Sequence, residues 1–190
     1  MKEAPHYIAV FSEVKEGYLT NIGFMLQHVD LFFSAEGIGC CWQGIPAPTT
    51  DLLNSSDLEF VIFIAFGKPK DPKSLHRSSV SEFKRKSLGE ITDIEGADDL
   101  MEVARIAPSA TNSQPWFFTG NKNLIHAYSV EPGFIKRFTK KYIPIDVGIA
   151  ICHLQIAAER FGKKAEIVFD KTAEINVPKG RKYIASLKIE

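Results

Sequence analysis

The chain has 190 residues, 45% hydrophobic and 24% charged, which suits a globular protein with a sizeable core. Lys plus Arg number 23, as do Asp plus Glu, so the formal net charge is zero and neither nucleic acid nor an acidic membrane surface is an expected partner. No apolar run is long enough for a membrane span, the amino terminus MKEAPHYIAVF has no hydrophobic stretch long enough to act as a signal peptide, and three cysteines, two of them adjacent (Cys40, Cys41), make no disulfide framework. A reducing cytoplasm is the expected location.

The first predicted element is a strand over YIAVFSEV, from Tyr7 to Val14. A helix follows over NIGFMLQHVDLFFSAEG, apolar on most of its surface through Phe24, Leu26, Val29, Leu31 and Phe33. Helices apolar nearly all round are buried, and Gly37 falls where a chain leaves a helix. GIGCCW, next in line, is no dinucleotide fingerprint, because it follows a helix and Trp42 stands where the third glycine belongs. Cys40 and Cys41 lack metal-ligand spacing, and no Cys/His cluster supports zinc. EFVIFIAFG, Glu59 to Gly67, is a continuous apolar strand of the fully covered kind. The long polar connection KPKDPKSLHRSSVSEFKRKS then closes the first part of the chain.

The second part opens with a helix over Asp99–Ala107, where Leu100, Val103, Ile106 and Ala107 recur at helical spacing. Pro108 disfavours helical geometry at Ala107 and ends it. After the loop from Pro108 to Pro115, Trp116-Phe117-Phe118 starts a strand, and LIHAYSVE, Leu124 to Glu131, is strand-like again. DVGIAICHLQIAAERFG is a second helix apolar on most of its surface, and AEIVFD and KYIASLKIE are strand-like runs after it.

These elements repeat. With Gly23 set against Gly148, a histidine follows five residues later in each copy (His28, His153) and a glycine fourteen residues later (Gly37, Gly162). Phe24, Leu26, Val29, Leu31 and Phe33 answer to Ile149, Ile151, Leu154, Ile156 and Ala158. The order strand, helix, strand occurs twice, so the expectation is an α+β fold of two similar halves, 1–92 and 93–190, around a pair of central helices. The plain alternative is likeness by shared composition. Both histidines sit in apolar helices and read as core residues bonded to backbone. The block from Asp99 to Phe118 has no counterpart before Tyr7, so the chain is expected to lack its natural beginning.

The loop ARIAPSATNSQPWFF carries the chemistry. Ser109, Thr111, Asn112 and Ser113 have short side chains that bond to nearby backbone or to a ligand. Pro115 is expected to hold Gln114 extended. Amides such as Asn112 and Gln114 both donate and accept, so they suit the edge of a flat heteroaromatic ring; otherwise the loop is a turn that bonds only to itself. The run FKRKS places Lys84, Arg85 and Lys86 together, as a solvated basic loop or as a phosphate site for which Arg's planar fork is suited. No serine or cysteine has a base at motif spacing, and no catalytic residue is assigned.

Ala107, Pro108, Ser109, Asn112, Gln114, Pro115 and Trp116 in APSATNSQPW resemble the signature A-P-S-x-x-N-x-Q-P-W of the flavin-dependent nitroreductases. The resemblance implies FMN as cofactor, with Pro108, Ser109, Ala110, Asn112 and Gln114 at the flavin. It maps Trp42, Gln43, Gly44 and Ile45 beside the ring, and Arg85, with Lys84 and Lys86 as neighbours, at the FMN phosphate. Here the Asn loop follows the long helix and the basic segment, whereas ordinary nitroreductases have it first. That order resembles a divergent subgroup carrying both halves in one chain, which implies a monomeric pseudo-dimer or a homodimer. The implied activity is passage of electrons from NADPH or NADH through flavin to a small-molecule acceptor, a nitroaromatic or a quinone. The usual amino-terminal R-x-S-x-R segment has no counterpart before Tyr7, which leaves a flavin-binding or flavin-free module without turnover as the alternative.

Overall fold

The computed structural model describes residues 4–130 and 140–190; Glu131, at the end of one predicted strand, lies outside them. By compactness the described residues form two units, one of residues up to Tyr18 with Gln27–Ser78, the other of Leu19–Leu26 with Ser79–Glu190. Among the described residues no helix is long and apolar enough to cross a membrane.

The first unit holds three antiparallel strands, β1 (His6–Ser12), β2 (Gly39–Gln43) and β3 (Glu59–Gly67), in the order β1-β3-β2. β3 is central and hydrogen-bonded on both edges, but its apolar run is not fully covered as expected: Phe60, Val61, Phe63 and Phe66 are only half-buried. Ile62, Ile64 and Ala65 are buried, Phe63 meets Phe60, and Phe66 stacks on Phe33 with ring centroids 4.8 Å apart.

The second unit has four antiparallel strands in the order β4-β5-β7-β6: β4 (Trp116–Asn121), β5 (Leu124–Val130), β6 (Ala165–Val168) and β7 (Arg181–Ile189). The predicted aromatic start of β4 is its most buried part, with Trp116 and Phe118 wholly enclosed. Helix α5 (Ile143–Arg160) packs against all four strands and against α4 (Asp98–Arg105). Nearly every residue from Ile143 to Ala158 is buried, as its all-round apolar sequence predicts. The chain leaves α4 at Ile106, one residue before the position Pro108 disfavours.

Helix α1 (Tyr18–Ala35) matches α5 in length, 18 residues each, and Gly23 and Gly148 are each the sixth residue. Gly37 and Gly162, two positions beyond the two helix ends, take φ of 72° and 73°, the left-handed exit that glycine makes without strain. The surroundings match too. The first copy runs β1, α1, β2, a short helix α2 (Thr50–Leu53) and β3; the second runs β5, α5, β6, a short helix α6 (Lys171–Ile175) and β7. In both, the last strand pairs between the first and second. The repeat is therefore one of topology as well as of sequence offsets.

Burial corrects one expectation. α1 is not enclosed as α5 is. Asn21, Met25, His28, Phe32 and Ala35 form a solvent stripe along one face, so His28 is exposed while its counterpart His153 is buried. Leu19–Leu26 of α1 belong to the second unit and the rest of the helix to the first.

Where α1 meets α5 inside the second unit, the helices touch backbone to backbone. A Cβ on Gly23 would lie 2.1 Å from the Ile145 carbonyl oxygen, and one on Gly148 2.0 Å from that of Thr20. In an ordinary helix Gly→Ala stabilises by roughly 1 kcal/mol. Here the sign reverses: Gly23→Ala and Gly148→Ala should each lower stability by about 1–3 kcal/mol in urea unfolding, because the helices must part. Wild-type stability in both variants would mean that the backbones do not meet.

Candidate functional site

The site is built in the second unit from the basic segment and the signature loop. Two S-x-x-E sequences flank the segment, and each closes a capping box. Glu82 accepts from the Ser79 amide at 3.1 Å, ahead of a short 3-10 turn over Val80–Phe83. Glu90 accepts from the Ser87 amide at 2.9 Å and its hydroxyl at 2.8 Å, starting the short helix α3 (Leu88–Ile91). Lys84, Arg85 and Lys86 are thus held between two fixed turns, with Lys84 in the left-handed conformation at φ 51°.

The loop locks onto them. The Lys86 amide donates to Gln114 Oε1 at 2.7 Å, and Lys86 Nζ donates to the Gln114 carbonyl at 2.9 Å. Arg85 donates to Asn112 Oδ1 through Nη1 and to the Ile106 carbonyl through Nη2 at 3.0 Å. Asn112 Nδ2 donates to the Lys84 carbonyl at 3.0 Å, and Gln114 Nε2 to the Asn112 carbonyl at 3.0 Å. Ser109 Oγ accepts from the Gln114 amide at 2.9 Å. Thr111, Asn112 and Gln114 have φ of 54°, 55° and 47°. With Lys84, these are the four described non-glycine residues in the left-handed region, and all belong to this clamp. Such conformations cost on the order of 1 kcal/mol each and persist only where the surroundings over-determine them.

Two sequence expectations change here. Gln114 is not extended before Pro115, and its amide does not project: it is 3% exposed and spent on Lys86 and Asn112. The bonds it makes outweigh the extended preference that a following proline imposes. Asn112 is exposed, but its amide too is bonded at both ends to the basic segment. The bonds from Arg85 to Asn112 and Ile106 go to neutral acceptors, so they orient the guanidinium without cancelling its charge. Trp42, Gln43, Gly44 and Ile45 belong to the first unit. Trp42 and Gln43 end β2, Trp42 Nε1 donates to Asp30 at 3.4 Å, and Ile45 is 98% exposed.

From below, the clamp rests on α5 and α4. Asp146 Oδ1 accepts from the Ala110 amide at 3.0 Å. His153, two turns along α5, has Nδ1 3.2 Å from the Val103 carbonyl. Burial holds its pKa down at about 4, the Val103 bond opposes and the Arg85 charge adds to the lowering, so the ring is neutral and donates. Arg105, paired with Glu102, also reaches the Lys86 carbonyl at 3.3 Å. The buried Ser113 hydroxyl, Trp116 Nε1 and Asp146 Oδ2 have no hydrogen-bond partner among the described residues.

Residues 1–158 match the family model described as "Putative TM nitroreductase". The chain belongs to that family. A crystal structure of a "putative nitroreductase" from Thermotoga maritima is 22% identical, with a TM-score of 0.67 over 99% of this chain and 72% of that one, which shows a shared fold. An "oxidoreductase containing FMN" is 20% identical over 60% of this chain and 76% of that one, at a TM-score of 0.36. Among curated proteins none matches.

For a nitroreductase family member the donor set is chemically apt. Three consecutive cations suit a phosphate, and polar atoms in the loop have hydrogen-bonding capacity left over. Sequence reasoning missed Asp146, Lys86 as a brace, and the paired capping boxes. The boxes were readable as SVSE and SLGE around KRK, and Asp146 as the one acid among the apolar residues of IPIDVGIAI.

The clamp makes two predictions. Gln114→Ala should free the Lys86 amide and speed hydrogen exchange at Ala110–Ser113, with a loss of about 1–3 kcal/mol in denaturant unfolding; unchanged exchange would show that the loop does not depend on Gln114. His153, with its folded pKa depressed, contributes stability that is present above the ordinary value of 6.5 and is lost as pH falls towards about 4. His153→Asn, whose Nδ2 can replace the Nδ1 donor, should flatten the acid limb of the stability–pH curve relative to wild type. An unchanged limb would place the titration elsewhere.

Proposed function

We propose that this chain is an FMN-dependent oxidoreductase that takes electrons from NADPH or NADH and delivers them to nitroaromatic or quinone-type acceptors. The single observation behind it is the clamp: a nitroreductase signature loop in strained left-handed geometry, fastened to three consecutive cations. Family membership supports the oxidoreductase class, and the clamp supports an anionic, multi-acceptor ligand. When bound, FMN supplies the two-electron chemistry; the protein binds and orients it. Lys84 and Arg85 would hold the phosphate, Lys86 and Gln114 brace the loop, and Pro108, Ser109, Ala110 and Asn112 line the flavin. Trp42, Gln43, Gly44 and Ile45 would offer the ring a surface on which the exposed Ile45 is the apolar element. The matched topologies favour an internal duplication, 1–92 and 93–190, with a pseudo-dimer or a homodimer as the working assembly in the cytoplasm.

A second reading has its own observation. The amides of Asn112 and Gln114 and two nitrogens of Arg85 already have partners within the chain, which also suits a module that holds flavin without turnover or holds none. Reconstitution with FMN separates the two. A turnover enzyme should retain a yellow chromophore near ~450 nm through desalting and bleach on anaerobic addition of NADPH or NADH. Arg85→Ala should weaken FMN binding about tenfold or more, as loss of a charged phosphate contact does. Protein that stays colourless after reconstitution, or yellow after the nicotinamide, would refute turnover.

A further inference from the structure

Asp146 is 3% exposed in the fourth position of α5, among residues that are otherwise apolar. One of its oxygens accepts from the Ala110 amide at 3.0 Å, and the other is buried without a partner among the described residues. Ala110 immediately precedes Thr111 and Asn112, both left-handed, and Asn112 is the residue Arg85 grips. The loop is therefore fixed at one end by the basic segment and at the other by a side chain rooted in the best-buried helix of the fold.

We propose that Asp146 is the positioning residue of the cofactor loop, holding Ala110, and through it the turn at Thr111 and Asn112, by a hydrogen bond rather than by its charge; the cofactor clause rests on the function proposed above. A carboxylate here would have one hydrogen bond and little solvent to offset its desolvation. Among the described residues, the ionisable groups around it do not supply a counter-charge of consequence. The loop from Ala107 to Pro115 and the α1 residues Leu19–Leu26 carry none. The basic segment carries Lys84, Arg85 and Lys86, engaged with Asn112, Gln114 and Ile106. On α4, Arg105 is paired with Glu102; on α5 the neighbour is the neutral His153, and just ahead of the helix stand Tyr142 and Lys141, whose ammonium lies over the Tyr142 ring. Burial raises Asp146 to about 7, with the Ala110 bond opposing. Below neutral pH the group is largely a neutral acid, with one acceptor and one donor, which asparagine reproduces.

The test uses the full chain and three measurements. In the 15N-labelled protein without FMN, the Ala110 amide resonance should titrate with a midpoint near 7, as it accompanies the Asp146 proton, and should stop doing so in Asp146→Asn. FMN affinity at pH 6.5 should fall about tenfold in Asp146→Ala and stay within about threefold in Asp146→Asn. Should Asp146→Ala fail to fold, the Asn variant and the wild-type titration still decide. An Ala110 amide indifferent to pH, an Asn variant as weak as the Ala variant, or an Ala variant that binds like wild type would each overturn the proposal. If wild type binds no FMN, the cofactor reading fails, while the Ala110 titration still tests the hydrogen bond.

Discussion

The interaction on which the rest of the site depends is the bond from the Lys86 amide to the Gln114 side chain. It is a backbone donor on the basic segment answered by a buried amide on the loop, at 2.7 Å. Gln114 can reach that donor because its own backbone is left-handed, and it stays so because Ser109, Asn112 and Lys86 occupy its remaining polar atoms. Strain and hydrogen bonding are thus two sides of one arrangement. Left-handed residues turn the loop inward, and the bonds made there offset the cost of the turn. A turn with no strain would have left the amides in water, where each bond contributes less.

Much of the fold could be read in advance because it rests on periodicity and on glycine. The strands over His6–Ser12, Glu59–Gly67 and Leu124–Val130 and the paired 18-residue helices follow from runs of apolar residues and from glycines at fixed offsets. What the sequence hid depends on how much surface lies nearby. α1 and α5 are similarly apolar, yet α5 has a four-stranded sheet and α4 around it, while α1 keeps a face in water. His28 and His153, equivalent in sequence, therefore differ in burial. Periodicity reports what a helix could bury, not what is there to cover it.

The signature loop shows the same limit at finer scale. Its residues announce a rigid polar turn, and its place between α4 and β4 is as expected. Which way each amide points was not legible, because it is settled by partners 28 residues away on Lys84 and Lys86. Non-local bonds leave no trace in local spacing. The paired capping boxes around KRK are the one part of that partnership with a local signature.

The two matching strand-and-helix topologies differ in that, among the described residues, one carries a clamp and the other does not. The block of α4, loop and β4 stands directly before the second copy, where α5 lies beneath the loop and supplies Asp146 and His153 from one face, seven residues apart. Helix α1, at the equivalent positions, has Asn21 and His28, and both are exposed. Asparagine keeps the hydrogen-bonding shape of a protonated aspartate, and histidine is retained outright, so the pair of polar positions two turns apart persists in the helix that carries no clamp among the described residues. Buried polar side chains are costly unless they have work to do. Their burial in α5 and exposure in α1 therefore follow from what lies against each helix: among the described residues, the strained loop rests on α5 and none rests on α1.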